Sequence, residues 1–183
     1  LEHGSAPLAV TMAAGVALEK FCGYFAGLPV IRIMPNTPVS VGEGMIFWCA
    51  GEGVSAAERG AFLEVMSCAG RLCELPEKLI DAAGALSGCG PAFVYMFLDA
   101  LADGGVAAGL PRAVAREAAV QTVLGAAALA RESGKHPGEL KDAVCSPGGT
   151  TIEGVRTLEE RAFRAAVTDA VIAAYEKTAN LAH

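Results

Sequence analysis

The chain has 183 residues, 53% of them hydrophobic, and a formal net charge of −6. That is apolar material for one or two packed domains, which excludes a disordered segment. The acidic balance, with no lysine/arginine cluster to neutralise phosphates, argues against a nucleic-acid partner.

Residues 1–7 read as a frayed start. Residues 8–12 read as a short strand ending in Ala13-Ala14-Gly15, where small residues let a backbone or a ligand come close. Residues 15–25 follow a helical pattern with Val16, Phe21 and Phe25 as inward positions, and 29–34 form the next strand. Strand, helix and strand at this spacing make a βαβ unit, which requires a parallel pair with a right-handed crossover. The loop Pro35-Asn36-Thr37-Pro38 leaves the C-terminal end of that strand, where open α/β sheets bind ligands. Asn36 is therefore a candidate ligand contact; the alternative is a turn asparagine bonding its own backbone.

Residues 44–50 form a third strand, apolar and aromatic. After it, Gly51-Glu52-Gly53-Val54-Ser55-Ala56 fits G-x-G-x-x-A, with Glu74 about twenty residues on, the pieces of a dinucleotide fingerprint. Ser55-Ala56-Ala57-Glu58 is also a capping box, which starts a helix without any ligand and is the simpler account. The six cysteines (22, 49, 68, 73, 89 and 145) never fall at C-x-x-C spacing, so they read as reduced, mostly buried thiols, with no metal and no disulfide framework.

From residue 76 the strands stop. Pro91, after Gly90, is placed at the start of a long helix through Phe93, Val94, Phe97, Leu98 and Leu101. The longest uncharged run, 82–98, is interrupted by Gly84, Gly88, Gly90 and Pro91 and reads as too short and too broken to cross a bilayer, so no membrane is expected. Pro111 opens the next helix, whose middle, 118–130, carries no charge and is dominated by alanine, valine and leucine. A helix without a polar face has to be covered on every side: its own chain wraps it, or a partner subunit does. Pro137 opens a short helix through Leu140 and Val144. The last helix, from about residue 160, carries Phe163, Val167, Ala170, Val171, Ala174 and Tyr175 on one stripe.

Between those two helices lies Cys145-Ser146-Pro147-Gly148-Gly149-Thr150-Thr151-Ile152-Glu153. Pro147 fixes φ, the glycines permit close approach, and the residues after them start a helix. A glycine turn feeding a helix leaves N–H groups unpaired and pointing one way, at the positive end of the helix dipole. That is a small-anion site, to which Thr150 and Thr151 add hydroxyls. The other reading is an ordinary loop in which a threonine caps the helix.

Taken together, Met34-Pro35-Asn36-Thr37-Pro38, Gly42-Glu43-Gly44, Pro76-Glu77-Lys78-Leu79-Ile80-Asp81, Leu86-Ser87-Gly88-Cys89-Gly90-Pro91-Ala92-Phe93, Leu101-Ala102-Asp103-Gly104-Gly105-Val106, Gly109-Leu110-Pro111 and the glycine turn resemble the pyrroline-5-carboxylate reductases. These are the enzymes of the last step of proline biosynthesis. The resemblance runs from about residue 10 to the C-terminus. It implies an α/β plus all-α chain: residues 1–75 the C-terminal half of a Rossmann-like NAD(P)-binding domain, and 76–183 an all-helical substrate-binding and dimerisation domain. The implied cofactor is NADPH or NADH, and the implied reaction is the reduction of 1-pyrroline-5-carboxylate to L-proline. The implied assembly is a cytoplasmic homodimer through the helical domain, or a higher oligomer built on it. The glycine fingerprint of that family has no counterpart ahead of the first strand, so the chain is expected to be the C-terminal portion of a longer enzyme and to lack full activity alone.

By the same resemblance the substrate carboxylate sits on the N–H groups around Gly148, Gly149 and Thr150, and Thr151 is the catalytic residue, bonding the ring nitrogen. Glu77 contributes a carboxylate near the ligands, and the nicotinamide runs past Met12, Ala13 and Ala14 with Asn36 close by. Glu77 also reads as an exposed first-turn glutamate favoured by the helix dipole. Ala143 stands where the family often has asparagine, so one side-chain contact is expected to be missing. Two other readings stay open. One is a helical dimer scaffold with half a nucleotide domain that binds nothing. The other is a β-hydroxyacid dehydrogenase, which would want a lysine that 113–130 lacks.

Overall fold

The computed structural model describes residues 7–25 and 27–180, so the expected frayed start lies outside the described residues apart from Pro7. Four strands, β1 (Ala9–Thr11), β2 (Val30–Met34), β3 (Gly44–Ala50) and β4 (Gly70–Glu74), form one sheet in the order β1-β2-β3-β4. β1 and β2 are parallel, Ala9 opposite Val30 and Thr11 opposite Arg32, with α1 (Leu18–Tyr24) between them in the chain. The βαβ unit is therefore present. Its helix begins at Leu18 rather than at residue 15, because the chain first turns at Gly15, where φ is 70°.

β3 reverses direction and pairs antiparallel with β2, Met34 opposite Phe47, while β4 runs parallel to β3 with α2 (Ala56–Met66) between them in sequence. The C-terminal ends of β1 and β2 thus share one edge of the sheet, and those of β3 and β4 share the opposite edge. Alternation along β2 sends Ile31 and Ile33 into a cluster with Ile46, Trp48 and Phe62. Val30 and Met34 point the other way, into a cluster with Leu18, Cys49 and Ile80. Covered on both faces, β2 reads as an apolar run broken only by Arg32, which is buried at 2% exposure.

Beyond the sheet come α3 (Glu77–Ala107), α4 (Arg112–Ser133), α5 (Pro137–Ala143), α6 (Thr150–Glu160) and α7 (Phe163–Ala179). Here the sequence reading needs correction. Pro91 does not open a helix; it lies inside α3, which runs unbroken from Glu77. The glycines and the proline at 84–91 were expected to interrupt the apolar run and do not. By length and composition α3 and α4 are each long enough and apolar enough to cross a membrane. The last helix also starts later than expected, because Ala162 in the left-handed region, φ 57°, separates α6 from α7.

The chain divides into two compact units, residues up to 91 together with those from 169 onward, and residues 92–168. In the second unit the buried cluster consists of Ala102, Ala115 and Ala119. Val120, Leu124 and Leu129 on α4 stand 53–58% exposed, so the described residues do not wrap this helix. All six cysteines are free, but only Cys49 is buried, whereas Cys68 is exposed and the others are half-buried. Burial pushes the Cys49 thiol up, so it stays protonated and inert.

Candidate active site

Two places carry the residues singled out in the sequence, one in each unit. The first is the edge of the sheet past β1 and β2. Met12 and Ala14 are exposed there, Ala13 and Gly15 are half-buried, and none of residues 13–15 carries a side chain larger than a methyl group. The Ala13 N–H donates to Thr11 Oγ1 at 3.5 Å. Asn36 stands past the end of the neighbouring strand, and because β1 and β2 are parallel it shares this edge with Met12. Its amide does not bond its own backbone: Nδ2 donates to the Ser87 carbonyl at 3.0 Å, and Oδ1 accepts the Met45 N–H at 2.9 Å. The turn-asparagine alternative is thereby corrected, since both partners are remote in sequence.

Glu77 is not a free first-turn glutamate either. Its Oε1 accepts the Leu18 N–H, the first of α1, and lies 3.3 Å from Arg32 Nη1, while Arg32 Nη2 meets Asp81 Oδ1 at 2.5 Å. Burying a guanidinium without partners is prohibitive, so the strand that carries Arg32 requires the two carboxylates at the start of α3. Arg32 Nε is left buried without a hydrogen-bond partner. Sequence reasoning missed this cluster. The available signal was the lone charge in Val30-Ile31-Arg32-Ile33-Met34.

The second place is the glycine turn. Gly148 takes the left-handed region, φ 66°, and is exposed. Gly149 is the N-cap of α6 in extended backbone, and no side chain caps the helix, so the threonine-cap alternative is corrected. A Cβ at Gly149 would run into Ser146 Oγ and lie 3.1 Å from the Ser146 carbonyl. One expectation changes: the Gly149 N–H already donates to the Ser146 carbonyl at 3.0 Å, so it is taken by the turn itself. The N–H groups of Thr150, Thr151 and Ile152 occupy the first turn of α6, where no carbonyl within the helix can accept them. Thr150 and Thr151 are exposed.

The Gly51–Ser55 loop lies at the opposite edge of the sheet, past β3. Ser55 Oγ accepts the Glu58 N–H at 3.2 Å and Glu58 Oε2 accepts the Ser55 N–H at 2.7 Å, so the capping box accounts for α2. Glu74 pairs with Arg59 at 2.5 Å and is not held open for a ribose.

A mixed α/β sheet, followed by long helices and a glycine turn at a helix N-terminus, makes a chain of two parts, one α/β and one all-helical. The family model for pyrroline-5-carboxylate reductase dimerisation matches residues 77–181, and the chain belongs to the pyrroline-5-carboxylate reductase family. It is 47% identical over 175 residues to the pyrroline-5-carboxylate reductase of Synechocystis sp., covering 96% of this chain and 66% of that one. To the Arabidopsis thaliana protein of the same name it is 45% identical, covering 94% of this chain and 62% of that one. The chain thus spans just under two thirds of the length of these curated relatives. Among solved structures, the Plasmodium falciparum pyrroline carboxylate reductase with NADP bound superposes with a TM-score of 0.89 at 34% identity, covering 96% of this chain and 71% of that one. A Streptococcus pyogenes 1-pyrroline-5-carboxylate reductase gives the same TM-score, with 68% of its chain covered. α4 contains no lysine, the residue that the β-hydroxyacid dehydrogenase reading wanted within 113–130.

Proposed function

We propose that this chain is the substrate-binding and dimerisation part of a soluble, cytoplasmic enzyme that reduces 1-pyrroline-5-carboxylate to L-proline with NADPH or NADH. The observation that carries the reading is the uncapped, exposed N-terminus of α6 directly after Gly148, with Thr151 in its first turn. In this proposal the substrate carboxylate rests on the free amides around Gly148, Thr150 and Thr151, and Gly149 supplies the turn's shape rather than a donor. Thr151 bonds the ring nitrogen and orients the imine. A bound nicotinamide supplies the hydride to the imine carbon, while the nitrogen keeps the proton of the iminium. Met12, Ala13 and Ala14 fit its approach, because Met12 and Ala14 are exposed and the two alanines carry only methyl groups. Glu77 acts from behind that edge, through Arg32 and the first N–H of α1, and not as a substrate ligand.

Residues 76–183 form the helical substrate and dimerisation domain in this proposal, with residues 1–75 a partial nucleotide domain. The apolar faces of α3 and α4 are covered by a second copy rather than by lipid; the dimerisation family model spans both helices and supports this. In the longer enzyme, Thr151→Ala lowers kcat by at least about tenfold, as loss of a positioned hydrogen bond does. An unchanged kcat removes Thr151 from the reaction. Equilibrium dialysis of this chain with NADPH and with proline separates the enzyme reading from a scaffold that binds neither.

A further inference from the structure

We propose that Asn36 is a positioning residue whose side-chain amide stands in for the backbone N–H that Pro91 lacks. A proline inside a helix leaves the carbonyl four residues before it without its intrahelical donor. Pro91 lies inside α3, so the carbonyl it leaves open is that of Ser87, and Asn36 Nδ2 donates to that oxygen at 3.0 Å. The other end of the amide, Oδ1, holds the Met45 N–H at 2.9 Å at the start of β3. One planar group therefore ties the loop past β2, the first residues of β3 and the middle of α3 together.

The approach that makes this possible is built in one turn earlier. A Cβ on Gly84 would come within 2.8 Å of Met34 Cγ, so glycine lets α3 lie close against the end of β2 and brings Ser87 within reach of Asn36. The residue type is also constrained. The group must donate from one atom and accept at another across a planar fork, which an amide does and an ionised carboxylate or a hydroxyl at that length does not. The inference rests on the reading that the β1 and β2 edge faces the nicotinamide. Asn36 then shapes that edge from behind, as a residue acting through Met45 and Ser87 and not as a cofactor ligand.

A double-mutant cycle on this chain tests it, using the thermal unfolding of wild type, Asn36→Ala, Pro91→Ala and the double variant. Asn36→Ala is expected to lower Tm by about 4 °C with Pro91 present. In the Pro91→Ala background the loss is expected to be half that or less, because residue 91 then donates its own N–H to Ser87. Equal losses in the two backgrounds overturn the proposal. Asn36→Asp supplies a second readout: its protonated carboxyl can donate to the Ser87 carbonyl and its carboxylate cannot. Its Tm deficit against wild type at the same pH is expected to shrink between about pH 7 and about pH 4, whereas a deficit that does not change with pH overturns the proposal. Both measurements read unfolding, so a chain that binds no NADPH removes the cofactor reading of the edge and leaves the Asn36–Pro91 coupling intact.

Discussion

In the sheet, Ile31 and Ile46 are fully buried at 0% exposure, whereas on α4 Leu124 and Leu129 stand 58% and 57% open. Both regions are apolar in sequence, yet they complete their cores by different routes. β2 is covered on one face by Phe62 of α2 and on the other by Leu18 of α1 and Ile80 of α3. The helical unit buries small side chains, Ala102, Ala115 and Ala119, packs Leu98 and Val106 half-buried against them, and leaves most of its other large ones exposed. The lesson is that the two narrow faces of a strand can each be covered by the helices of its own unit, while a long helix with no polar face presents more apolar surface than its own unit can cover.

The largest effect that would break this comparison concerns the charge inside the sheet. Replacing both Glu77 and Asp81 by their amides leaves Arg32 buried without a counter-ion and is expected to cost about 3–5 kcal/mol in urea unfolding. A cost under about 1 kcal/mol would show that water reaches the guanidinium. Next comes a matched pair of truncations. Ile46→Ala is expected to destabilise by about 2–5 kcal/mol, while Leu124→Ala changes the unfolding of the dissociated monomer by no more than about 0.5 kcal/mol and weakens self-association, read by sedimentation velocity. Equal costs in the monomer would mean that α4 is covered by its own chain after all.

A smaller effect sharpens the comparison at the joint between α6 and α7. Ala162 holds φ 57°, a conformation that a Cβ disfavours, so Ala162→Gly is expected to stabilise by roughly 0.5–1 kcal/mol. The smallest effect belongs to the exposed capping box of α2. The hydrogen bonds from Ser55 hold the Glu58 carboxyl below its ordinary value of 4.5. A lowered folded value means that the contribution is fully present above the unfolded value and lost as the pH falls through the folded one. The protection factors of the amides at the start of α2, taken against the intrinsic rate at each pH, should therefore fall on acidification below 4.5 more in wild type than in Glu58→Gln, with the sheet core unaffected.

Much of the architecture was legible because its causes are local. The apolar runs at 29–34 and 44–50 marked the two central strands, Ser55 with Glu58 marked the start of α2, and the glycine turn marked the start of α6. The motif order pointed to the family that residues 77–181 match. Pro91 was misread because its cost is local and its compensation is not: the donor that replaces its N–H comes from Asn36, 51 residues from Ser87 in the chain. The partners of Glu77 were hidden for the same reason, since Leu18 and Arg32 lie 59 and 45 residues away. Even the glycine turn kept one detail to itself, the capture of the Gly149 amide by Ser146. Periodicity, caps and turn chemistry act within a few residues and are written in the sequence. Which carboxylate meets which guanidinium, and which amide closes which open carbonyl, depends on distances that exist only once strands and helices are packed.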